Sequence, residues 1–240
     1  MAAPTFSIVT SCKGRLEFLK RSLPTFVQQA ETEVVVVDYD CPDGTKGWVA
    51  AHFPDVRVAV VTHAPLFNVS RARNIGAGVA RAPWLLLCEA SAYRDINGHD
   101  DAFRGWGAED WEFISRLDRH GLREVLYPVA LVEIMKHSNK ARSSHYEHEI
   151  GVSMVINHHY AKIKERYYET RGCWLTDEQR HSTYDRIEQV VMASITDPRL
   201  DTSFDITIEG ASPSWTARLP APAVRKYHAM TLEGIARTIL

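Results

Sequence analysis

Val34-Val35-Val36-Val37-Asp38 is an unbroken β-branched run closed by a carboxylate. With no polar residue alternating inside it, it reads as a strand covered on both faces, which is the habit of a parallel sheet in an α/β fold. Upstream, Phe6 to Ser11 is a second β-rich run, closed by Cys12-Lys13-Gly14-Arg15. Between the two, Leu16, Leu19, Leu23 and Phe26 mark a helical face, and Pro24 is expected to kink or end that helix. Downstream, Cys41-Pro42-Asp43-Gly44-Thr45 opens a turn or helix, and Val56 to Val61 gives a third strand. Phe67 to Gly76 reads as a loop entering a short helix through Val79, and Pro83 precedes a fourth strand, Trp84 to Cys88. This alternation predicts a doubly wound sheet, which binds ligands at the carboxyl ends of its strands. Asp38 and Glu89 are expected at such ends.

A second stretch carries chemistry. In Gly105-Trp106-Gly107-Ala108-Glu109-Asp110-Trp111 two glycines flank an indole and two carboxylates follow. The spacing then predicts a helix: Trp111, Ile114 and Leu117 form its apolar face, Glu112 pairs with Arg116, and Gly121 ends it. Glu109 and Asp110 fall in the first turn, where free N–H groups and the helix dipole favour negative charge. A carboxylate there beside an exposed indole suits a base acting on a sugar hydroxyl. The plainer alternative is that the acids cap the helix and Trp106 packs.

The 240 residues suffice for one sizeable α/β domain with an added segment. Net charge is −2, with 45% hydrophobic residues, so neither a nucleic-acid surface nor disorder is indicated. Cys12, Cys41, Cys88 and Cys173 form no CxxC pair, and they are expected to be free thiols in a reducing cytoplasm. No apolar run approaches the roughly 20 residues needed to cross a bilayer, and Met1-Ala2-Ala3-Pro4-Thr5 offers no export signal, so Asn68-Val69-Ser70 is read as a chance glycosylation pattern.

GWGAED resembles the GWGxED signature of galactosyltransferase-type, inverting glycosyltransferases. Its flanks match: Ile96 to Phe103 resembles the lead-in of that family, and Arg116-Leu117 with Gly121 its exit. Lys13-Gly14-Arg15, the VVVVD…DGT segment, FNVSRARNIGA and PWLLL resemble, in that order, the nucleotide-binding half of a GT-A, family 2-like glycosyltransferase. The resemblance spans roughly residues 6–137. It implies a Rossmann-like, mostly parallel sheet flanked by helices over 1–137, with a nucleotide-binding part (1–91), an acceptor and catalytic part (92–137) and a mainly helical C-terminal extension (138–240).

The activity implied is transfer of a hexose, of galactose or N-acetylhexosamine type, from a UDP-sugar to a carbohydrate acceptor. Asp110 is then the base and Glu109 a partner of sugar hydroxyls, with Trp106 and Gly107 as the platform for a pyranose. Asp38, Phe67 and Asn68 are expected around the nucleoside, and Lys13, Arg15 and Arg71 around the diphosphate. Mn²⁺ or Mg²⁺ is implied as cofactor, held by Glu89 and His137. Here the chain departs from its apparent relatives: Glu89-Ala90-Ser91 stands where they carry DxD, and serine is a poor ligand for a hard cation. A long central segment is also missing after Ser91. Two readings stay open, a shortened enzyme or a non-catalytic binding protein derived from the same fold.

Beyond Gly121, the apolar runs from Val125 to Ile134 predict further strands. His145, His148, His158 and His159 lie among charged residues that suggest a polar helical surface rather than a zinc site. Thr176-Asp177-Glu178-Gln179 starts a helix through about Ser194, and the last forty residues read as loops and a short terminal helix.

Overall fold

The computed structural model describes residues 3–85, 88–126, 128–133, 135, 138, 143–197 and 202–222. The chain forms two compact units. One comprises the residues up to Asp101 together with Asp110–Glu147; the other comprises Ala102–Glu109 and the residues from His148 onward.

The first unit is a parallel sheet flanked by helices, the α/β arrangement expected. Strands β1 (Phe6–Cys12), β2 (Thr32–Tyr39), β3 (Arg57–Val61) and β4 (Trp84–Leu85) lie in the order β3-β2-β1-β4, all parallel. Helices α1 (Leu16–Val27), α2 (Thr45–His52) and α3 (Val69–Val79) supply the crossovers. The β2 valines divide by the two-residue period of a strand. Val34 and Val36 pack with Leu16, Leu19, Leu23 and Val49 on the α1 and α2 side. Val37 and Tyr39 meet Ala72 and Ile75 of α3 on the other. Such two-sided burial stabilises by about 1.5–3 kcal/mol per large aliphatic side chain, which is why no polar residue interrupts the run. Close approach of α3 needs Gly76, where an added Cβ would stand 2.2 Å from Val9 Cγ1.

Several local expectations are corrected. Pro24 lies inside α1 and does not end it. Helix α4 (Ala90–Asp95) follows β4, and α5 (Glu109–Arg119) carries the two acids at its start. On α5 the buried residues are Glu112, Phe113, Arg116 and Leu117, whereas Trp111 is 47% exposed and Ile114 is exposed too. Steps of three residues drift by about 60° each on a 3.6-residue helix, so Trp111 and Leu117 cannot share a face. The expected Glu112–Arg116 pair is present and buried, bidentate at 2.8 and 3.0 Å. Around Pro128 no strand forms among the described residues; Val129–Leu131 is a 3₁₀ turn, with Val125, Leu126 and Leu131 exposed.

The second unit packs α6 (Ile150–Arg171) and α7 (Asp177–Thr196) with an antiparallel hairpin, β5 (Phe204–Ile208) and β6 (Trp215–Leu219). The hairpin stands where loops were expected; Ile206, Ile208 and Leu219 enter the core beside Tyr160, Ile163 and Ile187. The α7 start is a capping box between Thr176 and Gln179, as its sequence signature predicts. Helix α6 is no polar surface helix: Val155, Ile156, Tyr160 and Ile163 are buried, and so is Lys164, whose ammonium lies 5.6–5.9 Å from the rings of Tyr160, Trp174 and Phe103. The terminal helix expected near residue 240 lies outside the described residues. Among the described residues no helix is long and apolar enough to cross a membrane.

Candidate active site

At the carboxyl ends of β1 and β2 the backbone turns are laced together by side chains. Lys13 is buried, and its ammonium donates to the carbonyls of Tyr39, Asp40 and Ala64 at 3.3, 3.0 and 2.7 Å. Three donors meet three acceptors, so the lysine fixes the strand ends rather than presenting a free cation. Asp38 behaves alike: one carboxylate oxygen accepts the N–H of Cys41 at 2.9 Å and the other that of Lys46 at 2.8 Å. Both residues shape the loops that follow β1 and β2.

Around these loops sit Arg15, Phe67, Asn68 and Arg71. Asn68 is the N-cap of α3, accepting the Arg71 N–H at 2.8 Å while its own amide donates to the Asp101 carbonyl at 2.7 Å. Phe67 meets Tyr39 edge-on at 5.3 Å and stacks with Tyr146 at 6.1 Å. Arg71 is exposed and hydrogen-bonds the Tyr39 hydroxyl, whose pKa burial raises and this guanidinium opposes. His145 arrives from 131 positions further along the chain than Gly14 and lays its ring against that glycine. Its carbonyl accepts the Phe67 N–H at 2.8 Å. Sequence reasoning put His145 on a polar helical surface and passed over Tyr146, since only the folded chain brings that turn to the loop.

A second contact links α3 to α5. Arg73 Nη1 lies 2.5 Å from Asp110 Oδ1, with the two side chains 30% and 61% exposed. Arg73 stands in the quoted FNVSRARNIGA segment, two residues beyond Arg71 and on another face of α3, so no spacing rule paired it with Asp110. Beneath this pair the chain before α5 is held by Asn74, whose Oδ1 accepts the Tyr93 hydroxyl and the His99 N–H while its amide donates to the His99 carbonyl. The His99 ring is 2% exposed and stacks on Phe113 at 3.9 Å. Neither ring nitrogen has a partner among the described residues. Burial pushes its pKa down to about 3, helped by Arg73 and Arg116.

Trp106, Gly107 and Glu109 belong to the second unit. Gly105 takes φ +72, and a Cβ there would lie 2.3 Å from Ser153 Oγ, so only glycine admits this approach to α6. Asn157 and Tyr184, both fully buried, pin the preceding residue: Asn157 donates to the Arg104 carbonyl at 3.1 Å, and the Tyr184 hydroxyl accepts the Arg104 N–H at 3.3 Å while lying 2.8 Å from Asn157 Oδ1. The Arg104 guanidinium reaches Asp185 and Glu188 at 2.5 and 3.1 Å. Glu109 is buried and accepts the Gly107 N–H at 2.8 Å, closing the loop on itself, and Trp106 is half-buried.

Of the two expected metal residues, Glu89 is the one that the structure describes. Strand β4 pairs only with Phe6 and Ser7 at the start of β1, and Glu89 then bridges back, antiparallel, to Trp84. Leu85 and Cys88 exchange backbone hydrogen bonds. Glu89 therefore sits at the amino-terminal edge of the sheet, about 20 Å from the loop after Cys12 at roughly 3.3 Å per strand residue. Where the sequence suggested a carboxylate at the carboxyl end of the strand, as Asp38 is, Glu89 bridges Trp84 opposite the start of β1. Ser91 donates to Glu89 at 3.4 Å, and His137 lies outside the described residues. Glu89 and Ser91 by themselves offer one carboxylate and one hydroxyl, too few donors to hold a divalent ion without further ligands.

Comparison with known families bears on the whole first unit. Residues 7–90 match glycosyl transferase family 2, and residues 84–149 match the N-terminal domain of galactosyltransferase. No curated protein matches the chain. The two matches join end to end over the parallel sheet, the Arg73–Asp110 contact and the GWGAED loop. Together the two matches support a glycosyltransferase domain of the GT-A, family 2-like galactosyltransferase type over residues 7–149.

Proposed function

We propose that the chain is an inverting glycosyltransferase moving a hexose, of galactose or N-acetylhexosamine type, from a UDP-sugar to a glycan or glycoconjugate acceptor. The observation that carries this reading is the Arg73–Asp110 contact: an exposed carboxylate at the start of α5 is held in one orientation by a guanidinium from α3. Asp110 takes the proton of the acceptor hydroxyl as that oxygen attacks the anomeric carbon, and the UDP oxygen leaves from the opposite face. Glu109 accepts hydrogen bonds from sugar hydroxyls, and Trp106 with Gly107 offers the ring a flat surface. Phe67 and Asn68 border the nucleoside; Arg15 and Arg71 neutralise the diphosphate, and Lys13 and Asp38 hold the loops that carry these contacts.

The test is Asp110→Asn. Release of UDP should fall by about 10²–10⁴-fold with UDP affinity unchanged; a variant that turns over normally would remove Asp110 from the chemistry. The displaced Glu89 favours a second reading, a non-catalytic binder of nucleotide or sugar. That reading requires UDP binding without UDP release in the wild-type protein.

A further inference from the structure

Two thiols that the sequence leaves 29 positions apart come together at the loops after β1 and β2. Cys12 ends β1, Cys41 follows β2, and their Sγ atoms lie 3.8 Å apart. Cys12 is buried and accepts the Thr45 hydroxyl at 3.2 Å; Cys41 is half-exposed and its sulfur accepts the Gly14 N–H at 3.1 Å. We propose that Cys12 and Cys41 form an oxidisable dithiol, closed to a disulfide by a peroxide. The proposal stands on this geometry and is independent of the glycosyltransferase reading.

The roles of the two sulfurs differ. Cys41 is reachable from solvent, and the Gly14 N–H is directed at its sulfur. As a thiolate that sulfur attacks the peroxide O–O bond, becoming a sulfenic acid and releasing water or an alcohol. Cys12 then attacks the sulfenic sulfur; the S–S bond forms, and the departing hydroxide leaves as water with the Cys12 proton. Two thiols and one peroxide thus give one disulfide and two molecules of water, or one of water and one of alcohol. Burial pushes the Cys12 pKa up to about 12, which suits the second, resolving thiol rather than the first. The sulfurs must close by about 1.8 Å to reach the ~2.0 Å bond, and Cys41 sits in a loop rather than a strand. Cys88 and Cys173 lie elsewhere and serve as internal controls.

The experiment treats the whole protein with hydrogen peroxide, quenches with acid, alkylates in denaturant and maps tryptic peptides with and without dithiothreitol. The expected product joins fragment 1–13 to fragment 22–46, about 2 Da lighter than the sum of the two, and is reversed by the reductant. Cys41→Ser should abolish it and leave Cys12 alkylatable, while Cys12→Ala should carry Cys41 on to sulfinic acid. The wild-type map alone decides the matter if either variant folds poorly. Overoxidation of Cys41 with Cys12 still alkylatable in the wild type overturns the proposal, as does a linkage of either residue to Cys173 instead.

Discussion

Replacing Arg73 by methionine separates orientation from stability at the candidate base. The Arg73–Asp110 pair is part-exposed, and pairs of that kind contribute about 0.2–1 kcal/mol after solvent screening. For a chain of this size roughly 1 kcal/mol corresponds to about 2–4 °C, so the melting temperature should fall by no more than about 4 °C. The effect on turnover is set by geometry instead: without the guanidinium the carboxylate samples its rotamers, and a displacement of about 1 Å costs on the order of 10² in rate. Arg73→Met should therefore lower kcat about a hundredfold while UDP affinity, by calorimetry, stays within about twofold. Arg73→Lys should recover only part of the rate, because an ammonium keeps the charge but not the planar fork. Turnover within about threefold of wild type, or a melting drop beyond about 10 °C, would refute the assignment of Arg73 to orienting Asp110.

Trp106→Ala should raise the KM for sugar more than it lowers the melting temperature; a melting collapse with normal sugar binding in the folded fraction would make the indole a packing residue. His99 supplies a pH signature, since its folded pKa of about 3 lies below the ordinary 6.5, so the unfolded chain binds the extra proton. Stability from this group is complete above about pH 6.5 and is lost at up to about 1.4 kcal/mol per unit as pH falls toward 3. Thermal melts of His99→Phe between pH 4 and 7 should show a shallower slope than wild type, and equal slopes would contradict the burial of a neutral ring. Glu89→Ala should leave any Mn²⁺ dependence of UDP affinity unchanged, because Glu89 lies at the far edge of the sheet; a loss of that dependence in calorimetry would place the ion there after all.

The parallel sheet was legible in the residues because Val34–Val37 demand cover on both faces, a need that one short segment expresses alone. The helix start at Thr176 was equally local, closing its hydrogen bonds within three positions, whereas α3 begins at Val69, inside the stretch read as a loop. What could not be read was whatever joins distant segments. Arg73 was visible as a charged residue, but its partner depends on how α3 and α5 cross. The position of Glu89 was likewise hidden, because its bridge to Trp84, and the pairing of Trp84 with Phe6, join segments that no local pattern connects. Trp111 and Ile114 misled for another reason, since a step of three imitates a helical face over one turn and leaves it over two.

The pegging of Arg104 by Asn157 and Tyr184 has a consequence for the order in which the protein is made. Synthesis completes the strands and the GWGAED loop early, yet the hydroxyl that seats this loop arrives 80 residues after Arg104. The sheet can close while the nascent chain is still growing, at the usual 5–20 residues per second, but Trp106 and Glu109 must wait for α7 to leave the ribosome. Ribosome-bound chains stalled before Tyr184 should therefore carry a folded parallel sheet and an unfastened loop.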